Sequence, residues 1–321
     1  MNRITKPWLI AASSLTALGL IIFLGSMAAY GWDFTRLSTV KYETNTYKVS
    51  GSFDCIAIDI DTAKVELVPS PDGVCRVICQ ETEKVKHTAA VQNGTLMIDK
   101  IDTRKWYDHV GIFFGSPKIT VVLPQDEYAS LSIETDTGDI TIPEDFLFEN
   151  LTIHGDTGDV DCSAAVSNVM KIELSTGDVK ANGASANRVK LITKTGGIRV
   201  NSVASAGSID IETDTGDVRL TDVACENLTA ESDTGTISLK NVVAAGIFFI
   251  ESDTGDVRLE GSDAAQISIE TDTGDVTGTL LSEKVFIIET STGRASVPKT
   301  VTGGKCEINT STGDIRIDIA A

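Results

Sequence analysis

From residue 131 onward, apolar and polar positions recur in a single unit marked by Thr-Gly. The marker threonines are Thr137, Thr157, Thr176, Thr195, Thr215, Thr234, Thr254, Thr273, Thr292 and Thr312, at steps of 19 or 20 residues. Six and four residues before each threonine, and three and five after it, the chain carries an apolar residue, as with Leu131, Ile133, Ile140 and Ile142 around Thr137. Gly278 is the one exception. Period two on both sides of a turn predicts two short strands, each burying one face. The glycine supplies a turn conformation that other residues resist, and the flanking aspartates can accept nearby backbone N–H groups. So uniform a period favours like strands stacking on like strands over the paired hairpins of a meander. The predicted fold is all-β: a parallel β-solenoid of ten or more 19–20-residue coils over residues 131–321. Connecting loops such as SAAVSN and TDVACEN carry Ala or Val and predict a short third wall.

Residues 32–130 are β-like without the strict period, and read as a cap with degenerate coils. Ile56, Ile58, Val65 and Leu67 hold the four inward slots around Thr62, with Ala63 in the glycine place. Asn93-Gly94 precedes the strand TLMI, and Ile119 to Leu123 forms another strand ahead of Pro124. An open first coil would expose its ladder groups, so a cap is expected here. At the far end, Ile319-Ala320-Ala321 carries no evident lid, which predicts an exposed final ladder or end-to-end self-association there.

The N-terminus follows another pattern. No charged residue occurs from Trp8 to Gly31, while Arg3 and Lys6 precede the run. At about 1.5 Å per helical residue the run crosses a hydrocarbon core of about 30 Å. Trp8, Tyr30 and Trp32 suit the two interfaces, and the basic residues 1–7 point to the cytoplasm, leaving 32–321 outside. A cleaved signal peptide with Ser26-Met27-Ala28 as its site is the rival reading, but the apolar run is longer than a typical signal core.

Composition then narrows function. The 321 residues hold 27 Lys+Arg against 46 Asp+Glu, a net charge of −19, which argues against nucleic acid and anionic lipid surfaces as partners. Aromatics make up 6% of the chain, so its core is aliphatic. The acids fall in columns: Glu134, Glu173, Glu212, Glu231, Glu251, Glu270 and Glu289 three before the threonine, and Asp139, Asp159, Asp178, Asp217, Asp256, Asp275 and Asp314 two after it. Such columns suit either a divalent cation between neighbours or a solvated, non-sticky flank, with Lys180, Arg199, Arg219, Arg258 and Arg316 relieving the repulsion.

Asp-Thr-Gly occurs six times and is also the aspartic-protease signature. That chemistry needs two such aspartates face to face, whereas here they stack at one repeat position. A serine or threonine stands two before most corners and predicts an inward hydroxyl ladder. His87, His109 and His154 show no ligand spacing, so no metal, cofactor or catalytic residue is assigned. Cys162 and Cys306 lie in core slots too many coils apart to bridge, and pairing among Cys55, Cys75 and Cys79 stays open. Trp106, Tyr107, Phe113 and Phe114 cluster in WYDHVGIFFG, either as a partner-binding loop or as packing of the cap on the first coil.

The segments FDCIAIDIDTAKVEL, NGTLMI and KITVVLP, with the recurring IETDTGDV, resemble the DUF4097 family of bacterial putative adhesins over about residues 52–321. The resemblance implies a β-solenoid, membrane-tethered or secreted, with a cell-surface role and no established catalytic residues. It also offers a second role, as an accessory or sensory component of a bacterial envelope-stress system. A polysaccharide-acting β-helix enzyme is the third reading, but such coils carry long insertions around a cleft, and no coil here departs from 19–20 residues. The expected protein is a membrane-anchored, surface-exposed binding or scaffold solenoid with an unknown envelope partner and no nucleic acid.

Overall fold

The computed structural model describes residues 5–29, 31–32, 41–106, 117–183, 185–204 and 207–320. One helix, α1 (Thr5–Ala29), carries no acidic residue in its first turn and no basic residue in its last. Its segment Ala11–Ala29 has a mean hydropathy of 1.8 and is long and apolar enough to cross a membrane.

The remaining chain is β-structure joined in one hydrogen-bonded network. The first strands are β1 (Glu43–Lys48), β2 (Cys55–Thr62), β3 (Lys64–Pro69), β4 (Arg76–Glu81), β5 (Val85–Gln92), β6 (Thr95–Asp102) and β7 (Lys118–Leu123). Two-strand coils follow: β8 (Glu127–Thr137) with β9 (Ile140–Ile142), β10 (Leu147–Thr157) with β11 (Val160–Cys162), β12 (Ala165–Thr176) with β13 (Val179–Asn182), and β14 (Arg188–Thr195) with β15 (Ile198–Asn201). Then come β16 (Ser208–Thr215), β17 (Val218–Cys225), β18 (Asn227–Thr234) and the long β19 (Ile237–Thr254) and β20 (Val257–Thr273), which run from one coil into the next. The last are β21 (Val276–Leu280), β22 (Lys284–Thr292), β23 (Ala295–Ser296), β24 (Gly304–Thr312) and β25 (Ile315–Ile319).

Every ladder from β8 onward is parallel and joins equivalent positions of neighbouring coils. One inward column reads Ile56, Leu131, Leu151, Met170, Val189, Ile209, Leu228, Phe248, Ile267, Cys306 and Phe286. The alternation in sequence is thus the inside and outside of a solenoid, and its aliphatics form one continuous core. The third wall forms where Val223, Ala224 and Cys225 pair with Val242, Val243 and Ala244. The rod has about nine turns, slightly fewer than the ten or more expected. The unit at Thr292 makes only a fragment of its second wall, because β23 is two residues long.

Both ends depart from chain order. At the N-terminal end β2 lies between β6 and β8, and β3 between β7 and β9. The coil of β6 and β7 is therefore outermost, flanked by antiparallel strands: β5 on β6, β4 on β7, and β1 on β4. At the other end β24 pairs with both β20 and β22, and β25 with both β21 and β23. The coil of residues 304–319 is inserted beneath the coil before it. The exposed final ladder consequently belongs to β22 and β23, a correction to the expectation that it lies at Ile319-Ala320-Ala321. Phe286, Ile288 and Val297 are only partly buried there.

A buried ion pair holds this inversion. Lys284 Nζ lies 2.6 Å from Asp263 Oδ1, with both side chains nearly inaccessible. Lys284 sits on β22 and Asp263 on β20, with β24 between them. Gly304, opposite Lys284, carries no side chain to block the reach, and a Cβ there would stand 1.8 Å from the Ala265 carbonyl oxygen.

Candidate binding face

The Thr-Gly corners line up along one edge and are locked by three ladders. Each corner glycine stacks directly on the corner of the neighbouring coil: a Cβ at Gly235 would lie 2.0 Å from the Gly216 carbonyl oxygen, at φ +151°. Ala63 is tolerated in the same slot because the coil outside it has no Thr-Gly corner, while its own carbonyl leaves only 2.0 Å for a Cβ on Gly138.

The aspartates two after the threonine form the second ladder. Asp159 N–H donates to Asp139 Oδ1 at 3.2 Å, Asp178 N–H to Asp159 Oδ1 at 2.8 Å, and Gly197 N–H to Asp178 Oδ1 at 2.8 Å. Farther along, Asp314 N–H donates to Asp275, and Arg294 N–H to Asp314, both following the inverted coil order. The Gly197 N–H, with help from Arg199, holds the Asp178 carboxyl below its ordinary range. Arg199, Arg219 and Arg258 pair with Asp178, Asp217 and Asp256. This column is thus structural, since it satisfies corner N–H groups that the strand ladders leave over.

The inward hydroxyls form the third ladder. Thr193 donates to the Gly177 carbonyl at 3.0 Å, Thr213 to Gly196 at 3.0 Å and Ser232 to Gly216 at 3.2 Å. The Ser252 and Thr271 hydroxyls are buried without such a partner.

The outward positions of the strands before the corner carry a different charge pattern. Coils near the start of the rod include Lys171, which pairs with Glu173, and also Lys190 and Lys194. From β16 to the end of β20 the outward residues include Asp210, Glu212, Asp214, Glu231, Asp233, Glu251, Asp253, Glu270 and Asp272, with no basic residue among them. Glutamates of adjacent coils stand directly opposite one another, Glu212 beside Glu231 and Glu231 beside Glu251. Partial burial, with repulsion from Glu251 and Glu212, pushes the Glu231 carboxyl above its ordinary range. The inserted coil then presents the shorter Asn309 and Ser311, which leaves a hollow of about 300 Å³ bordered by Glu251, Asp253, Glu270, Asp272 and Glu289.

Among the four aromatic candidates, Trp106 is 82% exposed. Tyr107, Phe113 and Phe114 lie outside the described residues, as does His109. All six cysteines are free. A stack of Phe53, Tyr128 and Phe148 covers the loop side of the first coils, with ring centroids 6.1 and 5.8 Å apart.

The model of the Toastrack DUF4097 family matches residues 53–209 and 204–321. The chain belongs to the DUF4097 family. A search of curated proteins finds no match. Among solved structures, a putative adhesin from Parabacteroides distasonis ATCC 8503 is 11% identical, over 85% of this chain and 98% of its own, with a TM-score of 0.49. Another from Bacteroides fragilis NCTC 9343 is 15% identical, over 87% and 97%, with a TM-score of 0.37. A protein named as a putative lipid binding protein, also from P. distasonis, is 15% identical over 87% and 98%, with a TM-score of 0.35.

This DUF4097 chain also holds a cluster that sequence spacing passed over. The Cys79 thiol, Glu81 carboxylate and His87 imidazole are buried together, with ligand atoms within 4.8 Å of one another. The signal was available: Cys-x-Glu at the inward positions of one strand, followed six residues later by a histidine across a turn.

Proposed function

We propose that this DUF4097 protein is a membrane-anchored, surface-exposed solenoid that binds an envelope or extracellular partner and catalyses nothing. In this reading residues 1–7 are cytoplasmic, 8–31 cross the membrane, 32–130 cap the rod, and 131–321 form it outside the cell. The observation that carries the reading is the face from Asp210 to Asp272, whose charged outward residues are all acidic, on a rod whose coils raise no wall around a cleft among the described residues. A flat repetitive lattice of carboxylates suits a cationic or polyhydroxylated polymer, which it meets by many weak contacts at once. Trp106, with Tyr107, Phe113 and Phe114 near it in sequence, is the candidate for a second contact. The resemblance to the DUF4097 family, which implies a cell-surface role, supports the same view.

The test uses whole cells expressing the full chain with an epitope after Ile319. Antibody should label intact cells, and the cells should retain cationic polymer or matrix better than cells lacking the protein. Replacing Glu231, Asp233, Glu251 and Asp253 by Asn or Gln should reduce retention without loss of surface label. Labelling only after permeabilisation, or turnover of a polysaccharide by the purified chain, would overturn the reading.

A further inference from the structure

The cap contains a cluster that neither the solenoid nor the acidic face requires. Cys79 and Glu81 occupy alternate positions of β4, so both side chains enter the buried face that also takes Val77. The turn after Glu81 brings back β5, whose His87 is 7% exposed. His87 Nδ1 lies 3.1 Å from Glu81 Oε2, and the His87 backbone N–H donates to that same oxygen at 2.8 Å. The other oxygen, Oε1, accepts from Asn45 Nδ2 at 2.6 Å and from the Tyr47 hydroxyl at 2.7 Å, both on β1.

We propose that Cys79, Glu81 and His87 form a binding site for a divalent transition metal of the zinc type. Sulfur, imidazole nitrogen and carboxylate oxygen are the three donors that such an ion accepts, and three protein donors leave a fourth position for water. Edges of about 3–4 Å between ligand atoms follow from bond lengths of about 2.0–2.3 Å around a tetrahedral ion. The cluster, with its ligand atoms inside 4.8 Å, needs only small side-chain movement to reach that spacing. Asn45, Tyr47 and the His87 N–H fix the carboxylate from behind, as outer partners do at metal centres.

Charge points the same way. A cation bound here takes the place of the Cys79 proton, which leaves to solvent. One thiolate and one carboxylate then neutralise a dication in a low-dielectric pocket. Lys86 Nζ, 3.6 Å from Glu81 Oε1, is partly exposed and also within 3.8 Å of Glu43 Oε2, so it can swing outward. Among the described residues β5 pairs only with β6, so the cluster lies beside an edge strand of the cap. The bound ion would tie β4 to β5 and, through Asn45 and Tyr47, to β1.

The test titrates chelator-stripped full-length protein in detergent with Co²⁺ as a spectroscopic substitute. A thiolate-to-cobalt charge-transfer band should grow to one metal per chain and be displaced by Zn²⁺. Cys79→Ser should abolish the band, and His87→Gln should weaken binding by about tenfold or more. Cys225→Ser, coils away, should leave it intact. Absence of the band at millimolar Co²⁺ in wild-type protein with native β circular dichroism would overturn the proposal. So would a band that survives Cys79→Ser, whatever the fate of the other variants.

Discussion

At the N-terminal end of the rod, the outermost parallel coil of β6 and β7 is flanked by β5, β4 and β1 running antiparallel, and Tyr47, Val49, Phe53 and Ala89 pack against the core. At the other end, β22 and β23 pair inward only among the described residues, and Phe286, Ile288 and Val297 remain half-exposed. Each end places one coil out of chain order, yet only one end changes strand direction. The difference separates two roles. Exchanging coil order pins an end in place, whereas antiparallel strands stop the pattern from propagating, since they offer an incoming coil no matching ladder.

The largest effect expected from this contrast is at the aromatic core residues. Phe248→Ala, in a fully buried central slot, should destabilise the rod by about 3–5 kcal/mol, whereas Phe286→Ala in the equivalent slot of the open coil should cost about 1–2 kcal/mol. Denaturant titration of the two variants checks this, and equal losses would remove the distinction between middle and end.

The inverted end can be addressed separately. Lys284→Ala leaves Asp263 buried and unpaired, an expected loss of about 3–5 kcal/mol, part of which the double variant with Asp263→Ala should recover. Hydrogen exchange should place the loss in β22 to β25. Within the regular middle, Gly235→Ala forces a methyl into the Gly216 carbonyl and should cost about 2–4 kcal/mol. Ala63→Gly, at the tolerant slot, should change stability by no more than about 1 kcal/mol.

Much of the rod was legible from the chain because three properties reinforce each other at every coil: an inward aliphatic pair on each strand, a corner where only Gly fits, and a constant step. Ala63 shows how far the pattern reaches, since it was readable as a corner from its four flanking apolar slots alone. Coil order at the ends was not legible, for a physical reason. Thr312 pairs in the same register with both Thr273 and Thr292, so the repeat itself is indifferent to which coil lies below. The choice rests on local features, Gly304 and the Lys284–Asp263 pair, which no period reveals. The acidic columns were legible as columns, but their division of labour was not. Whether a carboxylate faces solvent, as Glu251 does, or accepts a corner N–H, as Asp178 does, depends on the backbone between coils. The cluster of Cys79, Glu81 and His87 escaped because the turn that carries the chain from β4 into β5 lies outside the repeat.

The smallest expected effect lies in the aspartate ladder. Asp178→Ala removes the hydrogen bonds from Gly197 N–H and Arg199 at a half-exposed corner and should cost about 0.5–1.5 kcal/mol. Because the folded carboxyl titrates below its ordinary range, its contribution is complete above the unfolded pKa of about 4 and fades as pH falls through the folded value. Wild type and variant should therefore converge in stability in acid, and a gap that persists to strongly acidic pH would assign the loss to packing instead.

The insertion of residues 304–319 between β20 and β22 also sets a timetable for assembly. During synthesis residues 284–296 emerge first, but the groove they must finally occupy is built on strands that the ribosome has yet to deliver. If they settle early on β20, they must be displaced when the later segment arrives. The tip of the molecule thus becomes native only once residues 304–319 are in place, with Gly304 and the Lys284–Asp263 pair closing it.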